Sequence, residues 1–230
     1  MTLAKALHVT FIVCALLTGL AGGAQAQAQA VEPRDLIDKA RMTLDDVKKD
    51  KEFGNTQSLL KRAKAVFIVP SLFKGGFFVG GEGGSGVYLI RQSDGSWSYP
   101  AFYTLASASF GLQIGAETSE LVLIVLSDKA SNAFMSDEFK VGVDAGLAIV
   151  TLGSGAEAAT TSNLKADIVV WSSSTGAYAG LTLNGSVIKP RMEYNNAYYG
   201  KTAMPADIVL HGTAKNPQAD YLRKTLASLG

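Results

Sequence analysis

Behind Pro33, apolar residues recur at helical spacing: Leu36, Ile37, Ala40, Leu44 and Val47 predict an amphipathic helix over about 33–50, ending at the Lys48-Lys49-Asp50-Lys51 cluster. Asn55 reads as the N-cap of a second, shorter helix whose stripe is Leu59, Leu60 and Ala63, and which gives way to the β-prone Val66-Phe-Ile-Val69 run before Pro70. From Phe77 to about Lys189 the period falls to two. Phe110, Leu112 and Ile114 alternate with Gly111, Gln113 and Gly115, and Val141, Val143, Ala145, Leu147 and Ile149 alternate with smaller or polar residues. Leu121–Leu126 is apolar throughout, as a strand covered on both faces would be.

Asp94-Gly95 marks a turn. Asn184-Gly185 signals a hairpin between Leu181-Thr-Leu183 and Ser186-Val-Ile188. Ser127 caps a short helix with Ala130 and Phe134 on one side; after Pro190 the helical period returns, with a turn from Pro205 to near Gly212. A last helix opens at Asn216-Pro217 and packs through Tyr221, Leu222, Leu226 and Leu229. Helix, many strands, then helix describe an α+β domain: a strongly curved or barrel-like antiparallel β-sheet flanked by N- and C-terminal helices.

Composition changes this picture mainly at the N-terminus. Lys5, the apolar run Ala6–Leu20 and three overlapping Ala-Gln-Ala steps up to Ala30 make residues 1–30 a signal peptide with an Ala/Gln tail, leaving 31–230 as a single domain. Cys14, the sole cysteine, leaves with that segment, so thiolate chemistry and disulfides are not available to the remainder. The expected location is outside the cytoplasm, in the periplasm or peripherally on the cell envelope. Without Lys5, the 21 basic residues become equal in number to the 20 acidic ones, a balance that gives no reason to expect a nucleic-acid partner.

Distribution says more than the total. No acidic residue lies between Glu52 and Glu82, while Lys61, Arg62, Lys64 and Lys74 fall there among Phe53, Phe67, Phe73, Phe77 and Phe78. A cationic, aromatic segment suits an anionic bilayer surface; the alternative is a solvated helix end leading into a core strand.

The run KGGFFVGGEGGSGVYLI contains Gly81, Gly83 and Gly86 at G-x-G-x-x-G spacing. A dinucleotide site needs a helix after those glycines, to present its N–H groups to the phosphates, whereas Val87–Ile90 reads as strand; neither a nucleotide nor another cofactor is expected. Glycines inside strands instead answer a need for bending or close approach. His211, the one histidine beyond the signal segment, is placed near a helix end, where a cation is favourable, and no nucleophile-elbow or metalloprotease motif accompanies it. Two of Glu82, Glu117, Glu120, Asp144 and Glu157 could approach as a glycosidase pair, and Trp97, Tyr99, Phe102, Tyr103 and Trp171 could make a sugar platform; carboxylates at strand edges are commonly solvated and strand aromatics commonly serve the core.

Several motifs, in order, resemble the SYLF lipid-binding domain family: Ala40–Leu44, Leu60–Pro70, Lys74–Gly86, Trp97–Tyr103, Phe110–Gly115, Leu121–Leu126 and Phe139–Asp144, covering about 34 to the C-terminus. The resemblance implies a non-enzymatic module binding anionic phospholipids, here an exported member of the bacterial kind. Actin, a partner of eukaryotic members, is not expected in that compartment. Carried onto matching positions, the resemblance places Lys61, Arg62, Lys64 and Lys74 near headgroups and Phe73, Phe77 or Phe78 shallowly in the bilayer. The alternatives are an envelope adaptor that binds proteins and, with less support, a carboxylate-dependent hydrolase.

Overall fold

A computed structural model describes residues 32–50, 53–76, 79–110, 115–142, 149–152, 166–173, 183 and 185–230. The expected signal peptide lies outside these residues, as do Phe77, Phe78, Leu112, Ile114, Asp144, Glu157 and the alternating positions 143–148. Helix α1 (Pro33–Lys49) buries Leu36, Ile37, Ala40, Thr43, Leu44 and Val47, with Asp35 in its first turn and Lys48 and Lys49 in its last, each favourable against the helix dipole. Helix α2 (Phe53–Arg62) starts before Asn55, which therefore lies inside the helix rather than capping it.

Eight strands follow: β1 (Ala65–Gly76), β2 (Val79–Ile90), β3 (Ala101–Phe110), β4 (Gly115–Val125), β5 (Phe139–Lys140), β6 (Ile149–Leu152), β7 (Ile168–Ser172) and β8 (Val187–Pro190). They form one sheet in the order β5-β8-β3-β2-β1-β4-β7-β6, curled into a half-barrel. Pairing is antiparallel except between β6 and β7, which run parallel. The chain between those two strands is long enough for the return that a parallel pair needs, about a dozen residues or more. The remaining helices are α3 (Asp128–Ala133), capped by the Ser127 hydroxyl accepting from the Ala130 N–H, then α4 (Met192–Tyr199), α5 (Pro205–Val209) and α6 (Asp220–Leu229).

Alternation along the strands separates two buried faces. On one, Phe67, Tyr88 and Tyr103 surround Phe134, which stacks on Tyr88 at 4.2 Å between centroids and also meets Phe139. The Tyr103 hydroxyl donates to the Phe134 carbonyl (2.7 Å), and burial pushes the Tyr88 and Tyr103 phenols well above their ordinary range. On the other face Val66, Ile68, Val87, Leu89, Phe102, Val122 and Ile124 lie beneath helices. Here Thr43 of α1 donates to Glu120 of β4 (2.7 Å), the Trp171 indole donates to Asp50 (2.9 Å), and Phe102 meets Tyr194 and Tyr198 of α4 edge-on. Asn195, fully buried, accepts from the Phe102 N–H (2.8 Å) and donates to the Phe102 carbonyl (3.3 Å), so α4 continues the hydrogen bonding of β3 where its pairing with β8 ends.

The glycine-rich run finds its reason beside an irregularity in β1. Pro70 and Ser71 stand opposite the single Glu120 of β4, a β-bulge at which proline's missing N–H does no harm. Directly across, in β2, a Cβ on Gly84 would meet the Ser71 carbonyl oxygen at 2.6 Å, and one on Gly86 would meet the Ile68 carbonyl oxygen and the Phe67 ring, each at 2.6 Å. Gly81 and Gly83 have ordinary space, 3.6 and 3.5 Å from the nearest atom. β2 runs unbroken through all three glycines of the G-x-G-x-x-G pattern, so the helix that a pyrophosphate would need is replaced by strand.

Two other sequence expectations are corrected. Gly185, at φ +87°, does make a turn, but Leu183 belongs to a helical turn and β8 pairs with β3 and β5. Tyr221, expected in the packing stripe of the last helix, is 64% exposed because it faces out from α6, while Leu222, Leu226 and Leu229 are buried.

Gly84→Ala and Gly86→Ala are expected to cost about 1–3 kcal/mol or more in urea denaturation, as overpacking against backbone does. Gly83→Ala should be neutral or stabilising by up to about 1 kcal/mol, through a stiffer unfolded chain. Equal losses at positions 83 and 86 would remove close approach as the reason for these glycines.

Candidate functional site

Lys61 and Arg62 close α2, Ala63 turns the chain inward and Lys64 immediately precedes β1. The turn is held from behind by Arg91, the first residue after β2: its Nη2 donates to the Leu60 carbonyl (2.7 Å) and its Nε to the Ala63 carbonyl (3.0 Å). These are carbonyls that a helix end leaves without partners, so Arg91 acts as a C-terminal cap from another strand. Backbone bonds complete the corner, Arg91 N–H to Lys64 (2.7 Å) and Lys64 N–H to Val125 (2.8 Å). Arg91 also lies 4.4 Å from the ring centroid of Trp97, and burial lowers its pKa from the ordinary arginine value.

With Arg91 turned inward, Lys61, Arg62 and Lys64 remain at the surface, all exposed. Lys64 meets Asp128 at 3.4 Å, but both side chains are more than half exposed and such a pair adds little. The sequence reading missed Arg91. Its signal was a lone cation directly behind the apolar run Val87–Ile90 and ahead of the Asp94-Gly95 turn, a place where a charge must reach for a partner.

The other expected residues lie elsewhere. Phe73 and Lys74 sit near the far end of β1, on the order of 30 Å along the strand from Lys64. Phe73 is 55% exposed on the helical face, between Gly83 and Thr118, whose small side chains leave it standing clear. Lys74 points to the opposite face, at the register position level with Glu82 of β2 and Glu117 of β4. Strand length and alternation thus divide residues that are close in sequence: three cations at one end, Phe73 and Lys74 on two faces at the other.

The same register bears on acid–base chemistry. Glu82 and Glu117 are separated by the Lys74 strand, and Glu120 is on the other face, bonded to Thr43. Glu82 is buried, and its Oε1 has no hydrogen-bond partner among the described residues. Of the aromatic residues, Trp97, Phe102, Tyr103 and Trp171 are buried in the core, which leaves no exposed platform built from them. Among the described residues no group of His, Cys, Asp and Glu is placed to hold a metal ion, and no helix is long and apolar enough to cross a membrane.

The described residues thus form a curled sheet tied to helices at both ends, with exposed cations at one corner. Residues 106–229 match the family described as "Ysc84: Las17-binding protein actin regulator". The chain is 34% identical over 190 residues to "Protein YSC84" of Saccharomyces cerevisiae, covering 79% of this chain and 40% of that protein. It is 33% identical over 197 residues to the yeast "LAS seventeen-binding protein 3", covering 82% of this chain and 42% of that protein. The human "SH3 domain-containing YSC84-like protein 1" is 33% identical over 171 residues, 74% of this chain and 50% of its own length. The chain therefore belongs to the Ysc84 family, the SYLF-domain family its motifs resemble. It spans half or less of the length of these relatives, of which one is named as a binding protein and one as SH3 domain-containing.

Glu120, opposite the bulge, allows a test of the site's electrostatics. Burial raises its pKa most; the Thr43 bond lowers it, Asp46 raises it and Lys49 lowers it, for a net upward shift from 4.5. A carboxyl that holds its proton more tightly when folded makes stability fall as pH rises from the unfolded pKa through the folded one. Glu120→Gln keeps an acceptor for Thr43 and removes that slope. The variant's melting temperature should therefore gain on the parent more at pH 7 than at pH 4, and an equal difference at both would contradict the shift.

Proposed function

We propose that this protein is a non-enzymatic module that attaches peripherally to anionic phospholipid surfaces, acting as an exported protein in the cell envelope. The observation that carries the reading is the corner itself, where Lys61, Arg62 and Lys64 are exposed together while Arg91 spends its charge on carbonyls behind them. A rigid cluster of cations gains favourable energy near a negatively charged leaflet, and loses it as salt screens the field. Phe73, with Phe77 and Phe78 following in sequence, offers a second, apolar foothold at the other end of β1. Lys74, whose register neighbours on the strands at either side are Glu82 and Glu117, is expected to contribute less than the other three.

A second reading, attachment to another protein, is favoured by the relatives' own names, since Las17 and actin appear in the family description. The two separate in one experiment. The 31–230 protein should float with phosphatidylglycerol or cardiolipin vesicles and not with phosphatidylcholine. Lys61→Gln/Arg62→Gln/Lys64→Gln should weaken that binding roughly tenfold or more, as loss of three headgroup-facing charges predicts. Lys74→Gln should change it little. Equal recovery from both kinds of vesicle, or none from either, sinks the lipid reading; a triple variant that still captures an envelope protein partner identifies an adaptor.

A further inference from the structure

Beyond Arg91, on the side away from the Lys61–Lys64 corner, lies a cavity of about 180 Å³ between the β2–β3 connection, the end of α5 and helix α6. Trp97, the residue on which Arg91 stacks, forms part of its wall. Its ionisable lining groups that carry or can take positive charge are His211, Lys215 and Arg223, and no carboxylate lines it among the described residues.

Arg223 is held ready rather than free to swing. Its Nε donates to the Trp97 carbonyl (2.8 Å), its Nη1 to Asp220 (2.9 Å), and its guanidinium lies 4.1 Å from the Tyr99 ring centroid. Asp220 also accepts from the Tyr99 hydroxyl (2.9 Å), so the nearest carboxylate is engaged by two donors behind the wall. Gln92 is fixed by donating to the Val209 carbonyl (2.8 Å), and Ser98 by accepting from the Ile90 N–H (3.0 Å).

The wall at Trp97 is closed: the residue is 1% exposed, and its indole N–H, which finds no acceptor among the described residues, has no surface open to the cavity. The space is smaller than the roughly 300–1,000 Å³ of pockets for drug-sized ligands, which favours a small ion. Two cationic groups, Lys215 and Arg223, with the His211 imidazole beside them around one small space, match a group with several oxygens and more than one negative charge better than they match a lone carboxylate.

We infer that this cavity binds a phosphate monoester, with His211, Lys215 and Arg223 around its oxygens, the Trp97 ring in the wall behind them, and the exposed Leu210 beside the ester's carbon chain. The inference does not require membrane attachment through the corner. The monoester is either a soluble phosphate or the headgroup of a lipid, and the two sources are separable by experiment.

The protein's two tryptophans give separate indole N–H signals in nitrogen-15 NMR spectra of labelled protein, and Trp171, bonded to Asp50, serves as the internal control. Titration with glycerol 3-phosphate should move the Trp97 signal saturably and leave Trp171 in place. Bicelles doped with phosphatidic acid, compared with phosphatidylcholine alone, test the lipid source: movement only with phosphatidic acid assigns a headgroup, and movement with glycerol 3-phosphate assigns a soluble ester. His211→Gln/Lys215→Gln, both at exposed positions, should keep the melting temperature and weaken binding roughly tenfold or more, as loss of charge-assisted bonds does. The Lys61/Arg62/Lys64 variant should bind glycerol 3-phosphate unchanged, so failure at the corner and failure at the cavity are seen separately. A Trp97 signal that stays put with both probes, or undiminished affinity in the His211/Lys215 variant, overturns the assignment.

Discussion

The fold depends on how closely β1 can approach β2 beside the Pro70–Ser71 bulge. Carbonyl oxygens of Ser71 and Ile68 occupy the space where Gly84 and Gly86 would carry a Cβ, so only glycine admits the approach. Each glycine in a strand forfeits about 0.5–1 kcal/mol relative to alanine through the freer unfolded chain, which the bent, two-faced core must offset. The bulge also resets alternation: Val69 and Leu72 both enter the aromatic core although three positions separate them. That phase change sends Lys74 to one face and Phe73 to the other. A local steric fact therefore decides where charges ten residues downstream of the corner can act.

Much of this was legible in the chain. The α1 stripe, the Ser127 cap, the doubly covered Leu121–Val125 strand and the return to helix after Pro190 follow from periodicity and capping chemistry, because each is fixed by residues near one another in sequence. The parallel β6–β7 pair was not legible, since alternation reports which residues share a face and is silent on strand direction. Nor was the division of the cationic segment. Lys61, Arg62, Lys64 and Lys74 look like one patch until a long strand is laid between the third and the fourth. Arg91 escaped notice for the complementary reason: its partners, Leu60 and Ala63, are backbone carbonyls distant in sequence, and backbone acceptors leave no mark in a residue pattern.

Membership of the Ysc84 family joins this chain to proteins more than twice, or about twice, as long as the part they share with it. The family match alone, residues 106–229, runs from within β3 to the last helix. At the end of the sheet where Arg91 lies, the cationic turn and the Trp97 ring meet on one side chain. A single guanidinium there braces the cationic turn on one side and an indole ring on the other, and the two surfaces cannot shift independently without breaking its bonds or its stacking.

Asn195 has an analogous effect deeper inside. Because its amide bonds both backbone groups of Phe102, sharing the carbonyl with the Arg191 N–H, helix α4 extends the pairing of β3 past the end of β8. Lifting α4 away would strip a central strand of pairing in the dry interior, so undocking of the C-terminal helices and fraying of the sheet become one cooperative event. The amide proton of Phe102 is thus a built-in sentinel: its exchange with deuterium reports the moment at which the helical layer and the strand beneath it open together.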